Sequence, residues 1–362
     1  MNISKIEDWW VRCMNSLFVK RRKYIPKITP YTCYGNQEEV KILCRVVLGN
    51  PKPKPSILHR GFRTLFTAQA PGVRVKIRLG EVEKEFVTDR GGYVNEWVKI
   101  ESVDKKLKKG WHDIEFELAE DYELPRKFIP EKNRSVDYDK QKCIIPVEKF
   151  HDIKTSKILI IGKKQKMGII SDLDDTVLVS QVPKIFMAMW TVLGSSPHKR
   201  KHVPGMPELF DKLREKFPNI ATFFLSATPW NFFPATRKFL AKHNFPFAPL
   251  ILRDLGPNSQ GKFEHADTVK NAAIDELFSK FPNMKWILIG DDGQKDPMIY
   301  RRTAKMYPGK IVAIFIRQMS VGEKLVDAST WFNFDNEKNS YVPIFYSADG
   351  FGLSRAIENL EA

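Results

Sequence analysis

The hydrophobic and polar residues of this chain follow two different periods. Between residues 34 and 118, apolar residues alternate with polar or charged ones, most clearly in the run Val73-Arg74-Val75-Lys76-Ile77. A period of two, broken by Gly and Pro turns, is typical of short strands that have one buried face. This region is therefore predicted to form a small antiparallel β-sandwich.

A second pattern begins at residue 167, where short apolar runs alternate with amphipathic helical segments. The runs end at Ile170, Leu225, Leu252, Ile289 and Ile316, and the helical segments cover residues 205–217, 231–243 and 267–281. Repeated alternation of strand and helix predicts a parallel sheet with helices on both faces. The expected fold class is thus α/β, with a β-sandwich domain ahead of the parallel sheet.

Domain boundaries are expected where these patterns change. Residues 1–33 are predicted to be an amphipathic helix and a tether, residues 34–150 a β-sandwich-like domain with its linker, and residues 151–362 the α/β domain. Within the second of these, residues 120–142 are rich in charge and proline, which predicts a linker or a long loop.

Composition narrows the class of partner. The chain of 362 residues has 59 Lys and Arg against 43 Asp and Glu, a formal net charge of +16. This balance favours anionic partners such as phosphate esters or acidic lipid headgroups. No nucleic-acid-binding module is visible, so a nucleic acid partner is not expected.

The apolar runs and the cysteines predict the cell compartment. The apolar runs are too short for a transmembrane helix, and the first residues lack the pattern of a signal peptide. The four cysteines have no C-x-x-C spacing, which is typical of reduced thiols in a cytoplasmic protein. Peripheral contact with a membrane is an added expectation, because the chain is basic.

Carboxylates end two of the apolar runs. Asp172 and Asp174 follow the first run, while Asp291 follows a later one, with Asp292 and Asp296 shortly after it. Ligands of open α/β sheets bind at the carboxyl edge, where these side chains are expected to meet. Crowded carboxylates are costly unless a cation shares the site, so a Mg²⁺ ion is expected there. The last of its acids is either Asp296, the preferred candidate, or Asp292.

Other strand ends offer groups that can bind a phosphate. Ser226 directly follows a predicted strand, where its hydroxyl can hold a phosphoryl oxygen, and Thr228 is a second candidate. A Ser in this place also commonly stabilises a turn or caps a helix. Arg253 ends another predicted strand, and it either binds a substrate phosphate or pairs with Asp254.

The order of these residues resembles the four motifs of the haloacid dehalogenase (HAD) superfamily of phosphoryl-transfer enzymes: Asp-x-Asp-x-Thr, then Ser, then Lys, then Gly-Asp. The resemblance covers roughly residues 165–320. The longer strings ISDLDDTV, VPGM, FLSATPWN, LILRD and IGDDGQKDPMIY are similar to the catalytic domain of the actin-patch phosphatidate phosphatase family. The chain departs from the usual family pattern at Ala227, Thr228, Val269 and Asp292, and none of these departures removes a group that the chemistry needs.

The resemblance implies a HAD-like phosphatase with a Rossmann-type parallel sheet, a Mg²⁺ cofactor and an aspartyl-phosphate intermediate. In this reading Asp172 is the nucleophile, and Asp174 is the general acid and base that also gives the metal its main-chain carbonyl. Lys270, at the family's distance from the Gly-Asp motif, neutralises charge on Asp172 and on the phosphate. Asp291 binds the metal, and Asp296 binds its water molecules or holds Lys270.

The implied reaction converts phosphatidate, an anionic phospholipid, to diacylglycerol and phosphate. One alternative is a phosphatase for a soluble or nucleic-acid phosphate. Another is a non-catalytic membrane-associated scaffold, which would not need the complete set of acids and lysine. Substrate choice is expected to depend on the segment between the first two motifs, where residues 184–193 are apolar and residues 198–202 are basic. This segment is either a helix packed on the catalytic domain or an apolar lid beside cationic groups.

Overall fold

The computed structural model describes residues 24–50, 68–100, 107–119, 122–130, 136–145, 153–178, 201–254, 265–293, 295–320 and 342–360, and for 122–130 and 136–145 it describes the backbone alone. The predicted N-terminal helix, the apolar segment 184–193 and the basic residues 198–200 lie outside these ranges. The chain divides into two compact units, and the division falls between Gly162 and Lys163. In the described residues, no helix is long and apolar enough to span a membrane.

The first unit is built from strands, as the period of two predicts. Its strands are β1 (Ile25–Pro30), β2 (Cys33–Asn36), β3 (Glu39–Gly49), β4 (Ala68–Gln69), β5 (Arg74–Leu79), β6 (Val82–Val87), β7 (Tyr93–Lys99), β8 (Gly110–Leu118), β9 (Tyr122–Pro130), β10 (Val136–Ile145) and β11 (Lys154–Ile161). Alternate residues of β5 and β8 are buried, including Val75, Ile77 and Phe116. Each such side chain contributes about 1.5–3 kcal/mol when it is fully buried.

Hydrogen bonds join nine of these strands into one sheet, in the order β1-β3-β2-β11-β8-β5-β6, with β4 and β7 also paired to β3. The pairing is antiparallel, as predicted, except between β2 and β11, which run parallel. The sequence analysis assigned residues 151–161 to the α/β domain. In the structure, Lys154–Ile161 pairs with β2 and β8 of the first unit instead.

The prediction of a linker or long loop over residues 120–142 is wrong. Strands β9 and β10 pair with each other as a separate antiparallel ribbon of two strands. The pairing is irregular, with register shifts between Tyr138 and Lys140 and between Lys140 and Ile144. Charged residues and prolines interrupt the regular alternation of apolar residues in these two segments. The sequence pattern therefore does not indicate strands there.

The second unit contains the predicted parallel sheet. Its strands are β12 (Met167–Asp172), β13 (Ala221–Pro229), β14 (Leu250–Arg253), β15 (Lys285–Asp291), β16 (Ile311–Arg317) and β17 (Ile344–Ser347). They lie in the order β14-β13-β12-β15-β16-β17, and every adjacent pair is parallel. The mixed α/β fold, with one parallel and one antiparallel sheet, is thus confirmed.

Helices connect these strands, close to where the sequence predicts them. They are α1 (Met206–Lys216), α2 (Phe233–Lys242), α3 (Ala266–Lys280), α4 (Asp296–Met306) and α5 (Gly350–Arg355). Strand β12 lies inside the sheet between β13 and β15, and all six of its residues are buried. Aromatic rings pack beside it, with Trp286 in contact with Phe223 and Phe278. The strand that carries Asp172 is therefore fully buried.

Candidate active site

Polar residues stand at the carboxyl ends of five neighbouring strands in the second unit. They are Asp172 on β12, Ser226 on β13, Arg253 on β14, Asp291 on β15 and Arg317 on β16. Asp172 is paired in register with Leu225, the residue before Ser226, and Asp291 is paired with Arg317. Because all these strands run in one direction, their ends lie along one edge, where α/β sheets bind ligands.

A buried lysine links two of the predicted acids. Lys270 Nζ lies 2.6 Å from Asp172 Oδ1 and donates a hydrogen bond of 2.7 Å to Asp296 Oδ1. The contact with Asp172 lacks hydrogen-bond geometry and is an ion pair. All three side chains are at least 95% buried. Helix α3 supplies the lysine, and the first residue of α4 supplies Asp296.

Asp291 completes a cluster of three carboxylates. Oxygen atoms of Asp172, Asp291 and Asp296 lie within 4.8 Å of one another. Asp291 accepts hydrogen bonds from Gly293 N at 2.8 Å and from Thr176 Oγ1 at 3.3 Å. Three carboxylates and one ammonium leave two negative charges in a buried place, which is costly without further positive charge.

The pKa values of these groups record that cost. Burial raises the pKa of Asp172 well above its ordinary value, and the charges of Asp296 and Asp174 add to the rise while Lys270 opposes it. Burial likewise raises the pKa of Asp291, with Asp296 and Asp172 adding to it. Burial alone lowers the pKa of Lys270, but the neighbouring carboxylates outweigh burial and raise it, so the lysine stays charged.

Two oxygen atoms of the cluster suit a metal ion. Asp172 Oδ2 and Asp296 Oδ2 are buried and lack a hydrogen-bond partner among the described residues. A buried carboxylate oxygen without a partner is rare unless it serves another ligand. Magnesium prefers oxygen ligands, and a divalent cation would balance the two excess negative charges. The residues present therefore fit a hard divalent cation held by Asp172, Asp291 and Asp296.

The structure places the two candidates for the last acid in different surroundings. Asp296 belongs to the cluster, whereas Asp292 Oδ1 accepts a hydrogen bond of 2.8 Å from Met319 N. Sequence spacing alone left this choice open, because both acids follow Asp291 closely. The structure favours Asp296, because this first residue of α4 accepts a hydrogen bond from Lys270.

Asp174 occupies a different place from the acidic cluster. Its Oδ2 accepts hydrogen bonds from Ser226 Oγ at 2.7 Å and from Thr228 Oγ1 at 2.8 Å. The main-chain N–H of Thr228 in turn donates to Ser226 Oγ at 2.8 Å. We predicted that these two hydroxyls contact a substrate phosphoryl oxygen. That role stays a prediction; in the structure both hydroxyls donate to Asp174, whose carboxylate lies outside the cluster of Asp172, Asp291 and Asp296.

Arginines at two strand ends complete the edge. Arg253 is half-buried, and its Nε is buried without a hydrogen-bond partner among the described residues. The predicted choice between a substrate phosphate and Asp254 therefore stays a prediction. Arg317 is 5% exposed, and its Nη1 donates to the carbonyl oxygen of Asp175 at 2.7 Å. Sequence analysis missed Arg317, although it ends an apolar run in the same way as Arg253.

Part of the chain is similar to proteins of known families. Residues 167–318 match the family model described as "Phosphatidate phosphatase APP1, catalytic domain". Over 152 residues the chain is 28% identical to phosphatidate phosphatase APP1 of Saccharomyces cerevisiae, which covers 42% of this chain and 26% of that protein. Over 154 residues it is 29% identical to an uncharacterized protein of Schizosaccharomyces pombe, covering 42% of this chain and 25% of that one.

The chain thus spans about a quarter of the length of these relatives. Among solved structures, a class C acid phosphatase from Bacillus anthracis aligns with a TM-score of 0.26 and 19% identity, over 48% of this chain and 82% of the other. The family match covers strands β12 to β16, and with them every predicted site residue. The comparisons confirm the resemblance that the motifs predict: residues 167–318 match the catalytic-domain family of phosphatidate phosphatase APP1.

Proposed function

We propose that the second unit is a Mg²⁺-dependent phosphomonoester hydrolase that acts through an aspartyl-phosphate, with phosphatidate as the leading substrate. The observation that carries this proposal is the pair of acids at the end of β12. Asp172 has an oxygen without a partner and a lysine beside it, while Asp174 is held by two hydroxyls. Two carboxylates in such different surroundings are suited to two different roles in one reaction.

Asp172 is the nucleophile in this proposal. One oxygen of its carboxylate attacks the phosphorus of the ester, and the bond from phosphorus to the leaving alcohol oxygen breaks as the new bond forms. Lys270 holds this carboxylate in place through its ion pair with Oδ1. The lysine also offsets the negative charge of the incoming phosphate, which otherwise repels a carboxylate nucleophile.

Asp174 moves the protons. It gives a proton to the departing alcohol oxygen, and it then accepts one from the water that attacks the aspartyl-phosphate and releases inorganic phosphate. Hydrogen bonds from Ser226 and Thr228 fix the direction of its carboxylate. General acid–base catalysis depends on the position of this carboxylate, because the proton is transferred along a short hydrogen bond.

The acidic cluster is the proposed place of the metal. Asp172, Asp291 and Asp296 would hold the ion, and Asp174 would add its main-chain carbonyl. When bound, Mg²⁺ supplies positive charge to the oxygen atoms of the transferring phosphoryl group. Thr176 and the main chain of Gly293 orient Asp291 for this purpose, since each donates a hydrogen bond to one of its oxygens.

Phosphatidate is the proposed substrate because the matched family is described by that activity. The charge of the chain agrees with it, since a net charge of +16 favours an anionic phospholipid and peripheral contact with the membrane that contains it. The apolar segment 184–193 would then contact the acyl chains. A soluble or nucleic-acid phosphate is the alternative, and it needs the same chemistry at the edge of the sheet.

A phosphate-release assay tests the proposal. Purified protein with Mg²⁺ is offered phosphatidate in mixed micelles, sugar phosphates, nucleotides and an aryl phosphate. Activity should require the metal and should vanish in Asp172→Asn. Asp292→Asn is the matched control, because the carboxylate of Asp292 accepts a hydrogen bond from Met319 N and lies outside the cluster. Full activity in excess chelator would contradict the metal, and an active Asp172→Asn protein would contradict the nucleophile.

A further inference from the structure

Arg317 connects the end of β16 to the loop that carries the catalytic acid. Its guanidinium is buried and donates to two carbonyl oxygens from separate segments. Nη1 lies 2.7 Å from the oxygen of Asp175, and Nε lies 3.4 Å from the oxygen of Ala348. The first is a short, strong hydrogen bond from a charged donor, and the second is at the weak end of the range.

The turn that Arg317 contacts has an unusual backbone. Asp175 has a φ angle of +58°, in the left-handed region that costs energy for a residue other than glycine. Main-chain bonds close the turn, from Asp175 N to Leu178 O at 2.8 Å and from Leu178 N to Leu173 O at 3.1 Å. A strained conformation of this kind persists only when its surroundings hold it in place.

Both neighbours of Asp175 face the site. Asp174 accepts the hydroxyls of Ser226 and Thr228, while Thr176 donates to Asp291 in the acidic cluster. A change in the peptide of Asp175 would therefore rotate the proton donor and a ligand-orienting hydroxyl together. The carbonyl of Asp175 is the point at which Arg317 holds this peptide.

We propose that Arg317 is a positioning residue that holds the Asp175 turn and thereby aims the carboxylate of Asp174 at the leaving group. This inference rests on the proposed function for the role of Asp174, and on the geometry alone for the turn. Arginine suits the task because its planar fork reaches two acceptors in fixed directions. A lysine at position 317 would keep the positive charge but would lose the planar set of N–H donors.

The kinetic test compares two esters. For Arg317→Met and Arg317→Lys, kcat/KM is measured with Mg²⁺ on an activated aryl phosphate and on an alkyl phosphate, because kcat/KM reports only the steps up to loss of the alcohol. Arg317→Met should slow the alkyl ester by roughly 10²-fold, the scale expected when a catalytic group is misplaced, and the aryl ester much less. Only the alkyl leaving group needs the proton from Asp174. Arg317→Lys should fall between wild type and Arg317→Met.

Arg355→Met is the matched control, because Arg355 is exposed on α5 and its loss should change neither rate. Melting temperatures of all variants separate misfolding from misplacement. A loss of equal size on both esters, or no loss on either, would overturn the role of Arg317 in aiming Asp174. Rates that fall equally in Arg355→Met would overturn it as well.

Hydrogen exchange tests the turn without using activity. The amides of Asp175, Val177 and Leu178 are hydrogen-bonded within residues 173–178, so the peptide that contains them should exchange faster in Arg317→Met and stay slow in Arg355→Met. Unchanged exchange in Arg317→Met would overturn the inference. If wild type hydrolyses neither ester, the proposed function fails, while the exchange result still decides whether Arg317 holds the turn.

Discussion

Asp172, Asp291, Asp296 and Lys270 form a buried set of charges that does not balance. Elsewhere in a protein such a set would be a defect, because each charge loses the solvation of water on burial. Here the excess negative charge lies at the end of β12. Oxygen atoms of Asp172 and Asp296 there have no hydrogen-bond partner among the described residues. A site that is unfavourable alone and favourable with a cation stores binding energy for that cation.

Asp291→Asn tests whether the crowded carboxylates destabilise the protein when no metal is bound. Without metal, this variant should melt at a higher temperature than wild type, because one of three crowded carboxylates is removed and the new amide can donate to a neighbour. A gain of 1 kcal/mol corresponds to about 2–4 °C in a domain of this size. At a hundredfold excess over Kd, Mg²⁺ should raise the free energy of unfolding of wild type by about 2.7 kcal/mol, and its melting temperature with it. The variant should gain much less.

Asp292→Asn serves as the control for this experiment, since its side chain bonds to Met319 N and lies outside the cluster. It should keep the wild-type response to Mg²⁺. Thermal melts in chelator and in excess Mg²⁺ measure both effects. The metal site would be wrong if Asp291→Asn lowered the metal-free melting temperature and still gained full stabilisation from Mg²⁺.

Asp174→Asn tests whether Asp174, two residues after the end of β12, has a different role from Asp172, which ends that strand. The rate on an alkyl phosphate should fall roughly 10²–10⁴-fold, which is the usual contribution of general acid–base catalysis. The phenolate of an activated aryl phosphate leaves without a proton. The first step of hydrolysis of that ester should therefore be slowed much less. The comparison uses kcat/KM on both esters, because kcat/KM reports the steps up to loss of the alcohol and excludes the later hydrolysis of the aspartyl-phosphate. The exposed Asp211→Asn is the control. Equal losses on the two esters would remove Asp174 from this role.

At the scale of elements, continuous apolar runs made the parallel strands predictable. Strands β12, β13 and β15 have interiors with almost no polar residue, and a polar side chain ends the buried run of each. The candidate site followed from those ends, because parallel strands gather their carboxyl ends at one edge. Lys270 and Asp296 were also predictable, but only through the spacing of the motifs that this chain shares with a known family.

What could not be predicted depends on contacts between distant residues. Nothing in the local sequence shows that Ser226 and Thr228 hold Asp174, since a hydroxyl at a strand end has several common roles. Arg317 gave no signal beyond its position after an apolar run, because its partner Asp175 lies 142 residues away in sequence. The ribbon of β9 and β10 was missed because strand pairing compensates for a poor local pattern.

Gly168 supplies a prediction at the element scale. A Cβ atom at this position of β12 would lie 2.4 Å from Cζ3 of Trp286 and 2.7 Å from Cε of Met284, so the strand cannot accept a side chain without moving. Gly168→Ala should destabilise the protein by about 1–3 kcal/mol, the usual cost of overpacking. It should also lower activity, since Asp172 ends the same strand.

A double-mutant cycle identifies the cause. Trp286→Phe makes room beside Gly168, so the two substitutions together should cost less than the sum of their separate effects. Urea unfolding of the four proteins measures the coupling free energy. Additive effects would show that the cost of Gly168→Ala arises elsewhere than at the indole ring of Trp286.

At the scale of the whole molecule, charge is the property that bears on the substrate. The chain has 16 more basic than acidic residues, while the acidic cluster is buried within the second unit. The charges outside that cluster are therefore positive on balance. A protein of positive net charge is attracted to an anionic surface, and each basic residue near such a surface contributes about 1 kcal/mol. Attraction of this type weakens with salt, because the Debye length falls from about 10 Å at 0.1 M to about 3 Å at 1 M.

The protein should accordingly bind vesicles that contain phosphatidylserine and should bind pure phosphatidylcholine vesicles far less. Phosphatidylserine is a phosphodiester, so binding to it reports surface charge and not occupation of the proposed site for a phosphomonoester. Asp172→Asn should bind like wild type for the same reason, which makes it the control. Co-sedimentation at low and high salt measures the effect. Binding that is equal for the two lipids, or that survives high salt unchanged, would contradict charge attraction and favour a soluble phosphate as the substrate.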